Sequence, residues 1–228
     1  MELSREIAGF VAAHRAGDDH ALHDCVRRVA HPRFLDRVLA RASAGELPDH
    51  AYRHPNGFLK IVLLAGEEFR LRLHVWRPAP GSAPTAENVH DHRWDFASAI
   101  LVGGYRFQQY RPDERGEEFE GFRYHGHRGS SSYSLEPTGP ARLRCGFDAE
   151  LTAGSSYFLA SDVLHRVLNP VDRTTVTVIL QGPHKDEPVR VYATGPIESG
   201  DEVALDPLPR DQVVRELALV RDLVARPH

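Results

Sequence analysis

The spacing of apolar residues divides the chain into a helical beginning, a long β-rich middle and a helical end. Residues 4–44 place apolar side chains every three to four positions, which is the period of an α-helix. Glycine and aspartate at residues 17–19 are typical of the end of one helix and the cap of the next, and Pro32 is typical of a first helical position. We therefore predict three helices within an N-terminal segment, residues 1–50.

From about residue 55 the period changes to two, which is typical of β-strands. Strands are predicted at residues 58–64 and 69–76, joined by a turn at residues 65–68. The first is a nearly continuous apolar run, whereas the second separates its residues onto two faces. Its apolar face carries Phe69, Leu71, Leu73 and Val75, and its polar face carries Arg70, Arg72, His74 and Trp76.

Residues 88–105 read NVHDHRWDFASAILVGGY and are predicted as one strand. Side chains two apart on a strand point the same way, so His90 and His92 are expected to share a face. Two neutral imidazoles on a rigid strand form half of a transition-metal site.

The remaining chain is predicted as short strands separated by turns, ending in a helix. Residues 105–147 contain several polar strands and a charged turn at residues 112–118. The later elements are strands at 156–159, 164–169, 174–180 and 189–193, a loop at 195–210 and a helix at 211–225. Frequent Gly, Pro and Ser between short strands favour an all-β barrel or sandwich, which we assign to residues 51–195, followed by a C-terminal loop and helix, residues 196–228.

Composition narrows the function classes. The chain has 228 residues, 41% of them hydrophobic, and a net charge of -4 from interspersed acidic and basic residues. These values favour one soluble domain and argue against nucleic acid or an anionic membrane as partner. The N-terminus lacks the layout of a signal peptide, and Cys25 and Cys145 are interpreted as free thiols of a reducing compartment, so a cytoplasmic location is expected.

Residues 154–169 read GSSYFLASDVLHRVLN, and their spacing resembles the second signature motif of the cupin superfamily, G-x5-P-x-G-x2-H-x3-N. Gly154, His165 and Asn169 occupy fixed positions of that motif. Ala160 and Asp162 stand where Pro and Gly are usual.

The first cupin motif, G-x5-H-x-H-x3or4-E-x6-G, is met by His90, His92 and Gly103, with Pro84 in place of the opening glycine. Two motifs in the right order imply a mainly β fold: a double-stranded β-helix, or cupin jelly-roll barrel, with N-terminal helices and a C-terminal helix. The resemblance also implies a metal site at His90, His92 and His165.

The motif's glutamate is missing, because its position falls on Phe96 or Ala97. Asp95 is adjacent, but strand alternation puts it on the face opposite His92 unless a bulge intervenes. Three-histidine cupins resemble the thiol dioxygenases such as cysteine dioxygenase. That resemblance implies a non-haem Fe(II) oxygenase acting with O2 on a small anionic thiol or amino or carboxylic acid, and Tyr105 and Tyr192 are candidates for its substrate-orienting tyrosine.

Other functions remain open from the sequence. Imidazoles also bind Zn, Ni or Mn, and such a site catalyses redox-free isomerisation or elimination when the ion acts as a Lewis acid. A metal-free epimerase-type cupin, a ligand sensor and a non-catalytic small-ligand barrel are further possibilities. The intact histidines argue against the first, and the lack of a helix-turn-helix or basic patch argues against a transcriptional sensor. A homodimer is suggested by resemblance alone.

Two further groups of residues have competing interpretations. Arg70 and Arg72 either clamp a substrate carboxylate inside the barrel or lie on a solvated face paired with Glu67 or Glu68. His125 and His127 form a second HxH, which either joins a metal site or belongs to an exposed hairpin next to flanking glycines.

Overall fold

The computed structural model describes residues 2–43, 50–79, 81, 85–126, 132–195 and 203–226. Its helices are α1 (Glu2–Arg15), α2 (Ala21–Ala30), α3 (Pro32–Ser43) and α4 (Arg210–Val224). All four agree with the predicted helices, and Pro32 begins α3 as expected from its missing N–H.

The strands follow in chain order. They are β1 (Ala51–Arg53), β2 (Phe58–Ala65), β3 (Arg70–Trp76), β4 (Thr85–Ala86), β5 (Val89–His90), β6 (Phe96–Val102), β7 (Gly104–His125), β8 (Ser132–Thr152), β9 (Ser156–Leu159), β10 (Leu164–Asn169), β11 (Thr175–Gln181), β12 (Val189–Ala193), β13 (Val203–Ala204) and β14 (Asp206–Pro207).

Within the described residues these strands form two antiparallel seven-stranded sheets. The first sheet has the order β14-β1-β2-β3-β11-β6-β9 and the second the order β13-β8-β7-β12-β5-β10-β4, with β7 also paired to β10. Aromatic residues of both sheets pack between them, including Phe96 of the first sheet and Phe107 of the second. The predicted fold, a mainly β jelly-roll barrel with helices before and after it, is confirmed.

The apolar face of the first sheet points out of the barrel. Leu71, Leu73 and Val75 of β3 pack in one cluster with Leu22 and Val26 of α2, and residues of α1, α3 and α4 belong to the same cluster. Full burial of such side chains contributes roughly 1.5–3 kcal/mol each. Since the helices cover the apolar face, the polar face of β3 faces the interior of the barrel.

The prediction of one strand over residues 88–105 is wrong. The chain leaves the second sheet after His90 and enters the first sheet at Phe96, so residues 91–95 cross between the sheets. Backbone bonds hold this crossing: the Gly182 N–H donates to the carbonyl of Asp95 at 2.9 Å. Alternation along the sequence does not distinguish a continuous strand from two short strands in different sheets.

The short strands and the charged turn predicted within residues 105–147 are also wrong. β7 has 22 residues and β8 has 21, and together they form one long hairpin. Residues 112–118 lie inside β7, where the register shifts between Pro112 and Glu117 and again between Gly121 and Phe122. Bulges accommodate Pro and Gly within a strand, so these residues did not mark turns here.

Cys25 is buried and Cys145 is half-buried, and both are free thiols, as predicted. None of the helices in the described parts of the chain is long and apolar enough to cross a membrane.

Candidate metal centre

Three histidines from two strands and the crossing segment converge inside the barrel. His90 of β5 pairs in register with His165 of β10, and His92 follows in the crossing. One ring nitrogen from each histidine lies within 4.8 Å of the others. The ring centroids are 4.6 Å apart for His90 and His165, and 4.9 and 5.2 Å from His92 to those two rings.

Backbone carbonyls orient two of the rings. The Nδ1–H of His90 donates to the carbonyl of Asn88 at 2.8 Å, and the Nδ1–H of His165 donates to that of Val163 at 3.1 Å. These bonds place the proton on Nδ1 and leave the Nε2 lone pair available. Metal-ligating histidines are usually held in this way by a partner on the other nitrogen.

The protein environment keeps His92 and His165 deprotonated. Desolvation inside the barrel, followed by the nearby His90, lowers the pKa of His165 to about 3 and holds the pKa of His92 well below its usual value. Neutral imidazoles are the form that binds a metal. The donor set therefore fits a divalent transition metal held by three nitrogens.

Phe96 occupies one of the two positions at which the cupin motif has its glutamate. Its ring lies 5.1 Å from that of His92 and 5.8 Å from that of His165, and the ring of Phe107 lies 5.7 Å from His165. An aromatic wall thus replaces a carboxylate beside the three histidines. Within the described residues, the histidine cluster includes no acidic ligand.

Asp95 does not join the cluster and anchors the crossing segment instead, where no strand alternation applies. Its carboxylate accepts bonds from the Lys185 ammonium at 2.7 Å, the Ser161 N–H at 2.8 Å and His14 at 3.0 Å. The carbonyl of Ser161 in turn accepts the N–H of His92 at 3.0 Å. Asp95 is therefore connected to His92 through the backbone of Ser161.

The histidines open on a cavity of about 270 Å³ between the two sheets. Arg72 lies in the wall contributed by β3, where it is 4% exposed. It donates to the Gln181 side chain at 3.0 Å and lies 5.6 Å from the ring of Trp94. The solvated-face interpretation is wrong for Arg72, because its side chain lines the cavity. The half-buried Arg70 lines the same cavity.

Several buried polar atoms of the cavity wall have no hydrogen-bond partner among the described residues. They are Arg72 Nε, His74 Nε2, Trp76 Nε1, Trp94 Nε1 and Thr177 Oγ1. Leaving a buried polar group unpaired costs about 1–3 kcal/mol. A concentration of such atoms around one cavity is expected where a polar ligand completes the hydrogen bonds.

The two candidate tyrosines lie in different places. Tyr105 lines the cavity, and its hydroxyl is 2.9 Å from that of Tyr157. Desolvation raises the pKa of both, to about 12 for Tyr157, so both are neutral phenols. Tyr192 packs against a separate cluster that includes Val89, because alternation along β12 places Val191 in the cavity wall. Tyr192 does not reach the cavity, so the structure does not support a substrate-orienting role for it.

The second histidine pair does not join this site. His125 is paired with Glu136 at 2.8 Å near the end of the β7–β8 hairpin, where both side chains are exposed. His127 lies outside the described residues.

Sequence reasoning missed many residues of the cavity wall, among them Lys60, Glu87 and Gln181. Lys60 was assigned to a continuous apolar strand. The sequence did contain a signal for Lys60, because a single charged residue in an otherwise apolar strand must face a side that tolerates charge. Lys60 is two positions from Phe58, so both side chains point to the same side of the strand. Gln181 ends the strongly β-branched strand β11, and its contact with Arg72 depends on strand pairing that the sequence does not specify.

We expect His165→Ala to remove most of the bound metal, because two imidazoles hold a transition metal much more weakly than three. Elemental analysis of protein purified without added metal measures this loss. His125→Ala is the matched control and should retain wild-type metal content. Equal metal in wild type and His165→Ala would contradict the assigned site.

We expect Asp95→Asn to reduce stability most at neutral pH. Burial raises the pKa of Asp95, but its hydrogen bonds with Lys185, Ser161 and His14 outweigh burial and hold that pKa below its usual value. A carboxylate with a lowered folded-state pKa contributes stability above the unfolded pKa of about 3.9 and loses it as the pH falls further.

Urea unfolding at pH 6, 4 and 3 measures this effect. The wild type should exceed Asp95→Asn by on the order of 1–3 kcal/mol at pH 6, and the difference should shrink at pH 3. Asp222→Asn, an exposed change on α4, is the control. A difference that stays constant or grows on acidification would contradict the anchoring role.

No protein family model and no curated protein sequence matches the chain. Three similar solved structures illustrate the structural matches. An RmlC-like cupin from Shewanella frigidimarina has a TM-score of 0.37 and 15% identity, and the match covers 62% of this chain and 88% of that chain. A cupin domain from Bordetella pertussis has a TM-score of 0.33 and 18% identity, and the match covers 55% of this chain and 93% of that chain. A hydroquinone 1,2-dioxygenase in complex with Cd2+ and 4-hydroxybenzonitrile has a TM-score of 0.33 and 14% identity, and the match covers 63% of this chain and 70% of that chain.

At these identities and TM-scores the similarity carries no information about the reaction. The assignment of the fold depends on the strand order of the two sheets and on the three histidines that both motifs bring together. The chain has the double-stranded β-helix fold of the cupins.

Proposed function

We propose that the protein is a metal-dependent enzyme that acts on a small organic anion. One observation carries the proposal: the His90, His92 and His165 cluster opens on a cavity whose wall also carries the buried guanidinium of Arg72. A divalent ion held by neutral ligands and a cationic wall both attract an anion.

The charges of the cavity support an anionic substrate. Within the described residues, no carboxylate forms an ion pair with Arg72 or Lys60, and Glu87 is the buried glutamate of the cavity wall. A buried guanidinium without an acidic partner is costly unless a ligand neutralises it. The volume of about 270 Å³ limits this ligand to a small molecule.

The proposed reaction is an O2-dependent oxidation at Fe(II), with a thiol or an amino or carboxylic acid as substrate. When bound, Fe(II) would supply the redox chemistry that protein side chains lack. Arg72 would orient the substrate's carboxylate through its planar fork. Phe96 and Phe107 would exclude water beside the histidines, and Tyr105 would donate a hydrogen bond as a neutral phenol.

Metal content and oxygen uptake test the reaction together. We expect the purified protein to contain iron and to consume O2 with at least one member of a panel of small thiols, amino acids and carboxylic acids. If it prefers Zn, Ni or Mn and converts its substrate unchanged without O2, the enzyme is a redox-free isomerase or lyase instead.

We expect Arg72→Lys to impair turnover almost as much as Arg72→Ala, because lysine keeps the charge but loses the bidentate fork. Misplacing a substrate by ~1 Å costs up to ~100-fold in rate. The loss should appear in KM and kcat while metal content stays at the wild-type value. Arg173→Ala, an exposed arginine paired with Asp172, is the matched control. Wild-type kinetics in both Arg72 variants would remove Arg72 from the substrate site.

A further inference from the structure

We propose that Lys60 is the proton acceptor of the cavity, a catalytic residue that takes a proton from the bound substrate. This inference rests on the proposed function, since it assigns a group that acts on the anion held there. Lys60 lies on β2 and its side chain lines the cavity. Its one described hydrogen-bond partner is the Tyr52 hydroxyl, at 2.8 Å from Nζ.

The position of Lys60 follows from strand pairing. Lys60 pairs with Tyr52 of β1 on one side and with His74 of β3 on the other. His74 and Arg72, two residues apart on β3, both line the cavity, so this row of the first sheet faces the histidines of the second.

Several charged and titratable groups lie near Lys60. They are Tyr52 on β1, His54 before β2, Arg70, Arg72 and His74 on β3, and His92 in the crossing segment. None of them is a carboxylate. Desolvation, followed by Arg72 and Arg70, holds the pKa of Lys60 well below its usual value. A neutral amine is a base, whereas an ammonium is not.

Tyr52 suits either state of this amine. Burial raises the pKa of the Tyr52 phenol to about 12, so the hydroxyl keeps its proton at neutral pH. The hydroxyl oxygen accepts a hydrogen bond from an N–H of either the ammonium or the neutral amine, which leaves the lone pair of the neutral amine free. The Lys60 amine thus uses its lone pair to take a proton from the substrate, becomes an ammonium held by Tyr52, and releases that proton to water or product at the end of the cycle.

The chain contains two lysines, Lys60 and Lys185, so Lys185 is an internal control. Protein labelled with 13C at lysine Cε gives two NMR signals, assigned with Lys60→Arg and Lys185→Arg. We expect the Lys60 signal to titrate at a lower pH than the Lys185 signal, in the direction that burial shifts a lysine. Titration of Lys60 at or above Lys185 would overturn the inference.

Glyoxylate, a small anionic aldehyde, tests whether this amine is reached from the cavity. The amine attacks the aldehyde carbon and water leaves to form an imine. Cyanoborohydride then delivers a hydride to the imine carbon, leaving a carboxymethyl group on the amine. Peptide mass spectrometry should find Lys60 modified at least ~10-fold faster than Lys185 at pH 7, because each unit of pKa changes the neutral fraction tenfold.

Acetaldehyde separates amine reactivity from anion binding. Arg72→Gln should lower the ratio of glyoxylate to acetaldehyde labelling at Lys60, because the guanidinium attracts the carboxylate and not the uncharged aldehyde, whereas a change in amine reactivity affects both reagents. Equal labelling of both lysines by glyoxylate would contradict a reactive amine in the cavity.

Turnover distinguishes a base from a cationic anchor. With the substrate found in the oxygen-uptake panel, Lys60→Arg and Lys60→Met should both lose about 10²–10⁴-fold in kcat, the typical contribution of a general base. An anchoring role predicts that arginine preserves turnover, and that result would overturn the inference.

NMR and labelling need neither metal nor turnover, so their failure leaves the proposed function intact. If the purified protein binds no metal, while Lys60 titrates at low pH and reacts with glyoxylate, then the proposed metal-dependent function is wrong and the inference of a reactive amine at Lys60 stands.

Discussion

The placement of the apolar face of the first sheet outside the barrel determines the rest of this structure. Leu71, Leu73 and Val75 are fully buried, yet they pack under the helices and not within the barrel. Hydrophobic burial between helices and sheet therefore stabilises the fold without using the interior of the barrel. The inner face of β3 is free to carry Arg72 and His74, which a barrel closed around its own apolar core would exclude.

This division has an energetic consequence for the interior. A buried guanidinium and several unpaired polar atoms are individually destabilising, and a domain is stable by only about 5–15 kcal/mol. Gln181 and the ring of Trp94 offset part of that cost for Arg72. A ligand that supplies the remaining hydrogen bonds would stabilise the folded state on binding. The helices thus compensate for a cavity whose composition favours binding over stability.

The sequence predicted what depends on local period and on fixed spacing. The helical stripes and the histidine motifs were found because the 3.6-residue repeat and the positions of His90, His92 and His165 are visible along the chain. The division of residues 88–105 between two sheets was not predicted, because the choice between one sheet and two depends on strand partners that are distant in sequence. The long hairpin was hidden by Pro112 and Gly116, which break a regular strand but are accommodated in a bulge. The contact between Arg72 and Gln181 joins residues 109 positions apart.

The replacement of the motif's glutamate connects the metal centre to the opposite wall. With Phe96 against His92 and His165, the described cluster contributes no negative charge. A bound divalent ion would then keep its full charge, in a cavity that also contains Arg72. Two concentrations of positive charge in a small desolvated space repel each other strongly. An anionic substrate between them relieves that repulsion, and a neutral amine at Lys60 avoids adding to it. The loss of one carboxylate ligand and the cationic wall therefore favour the same class of substrate.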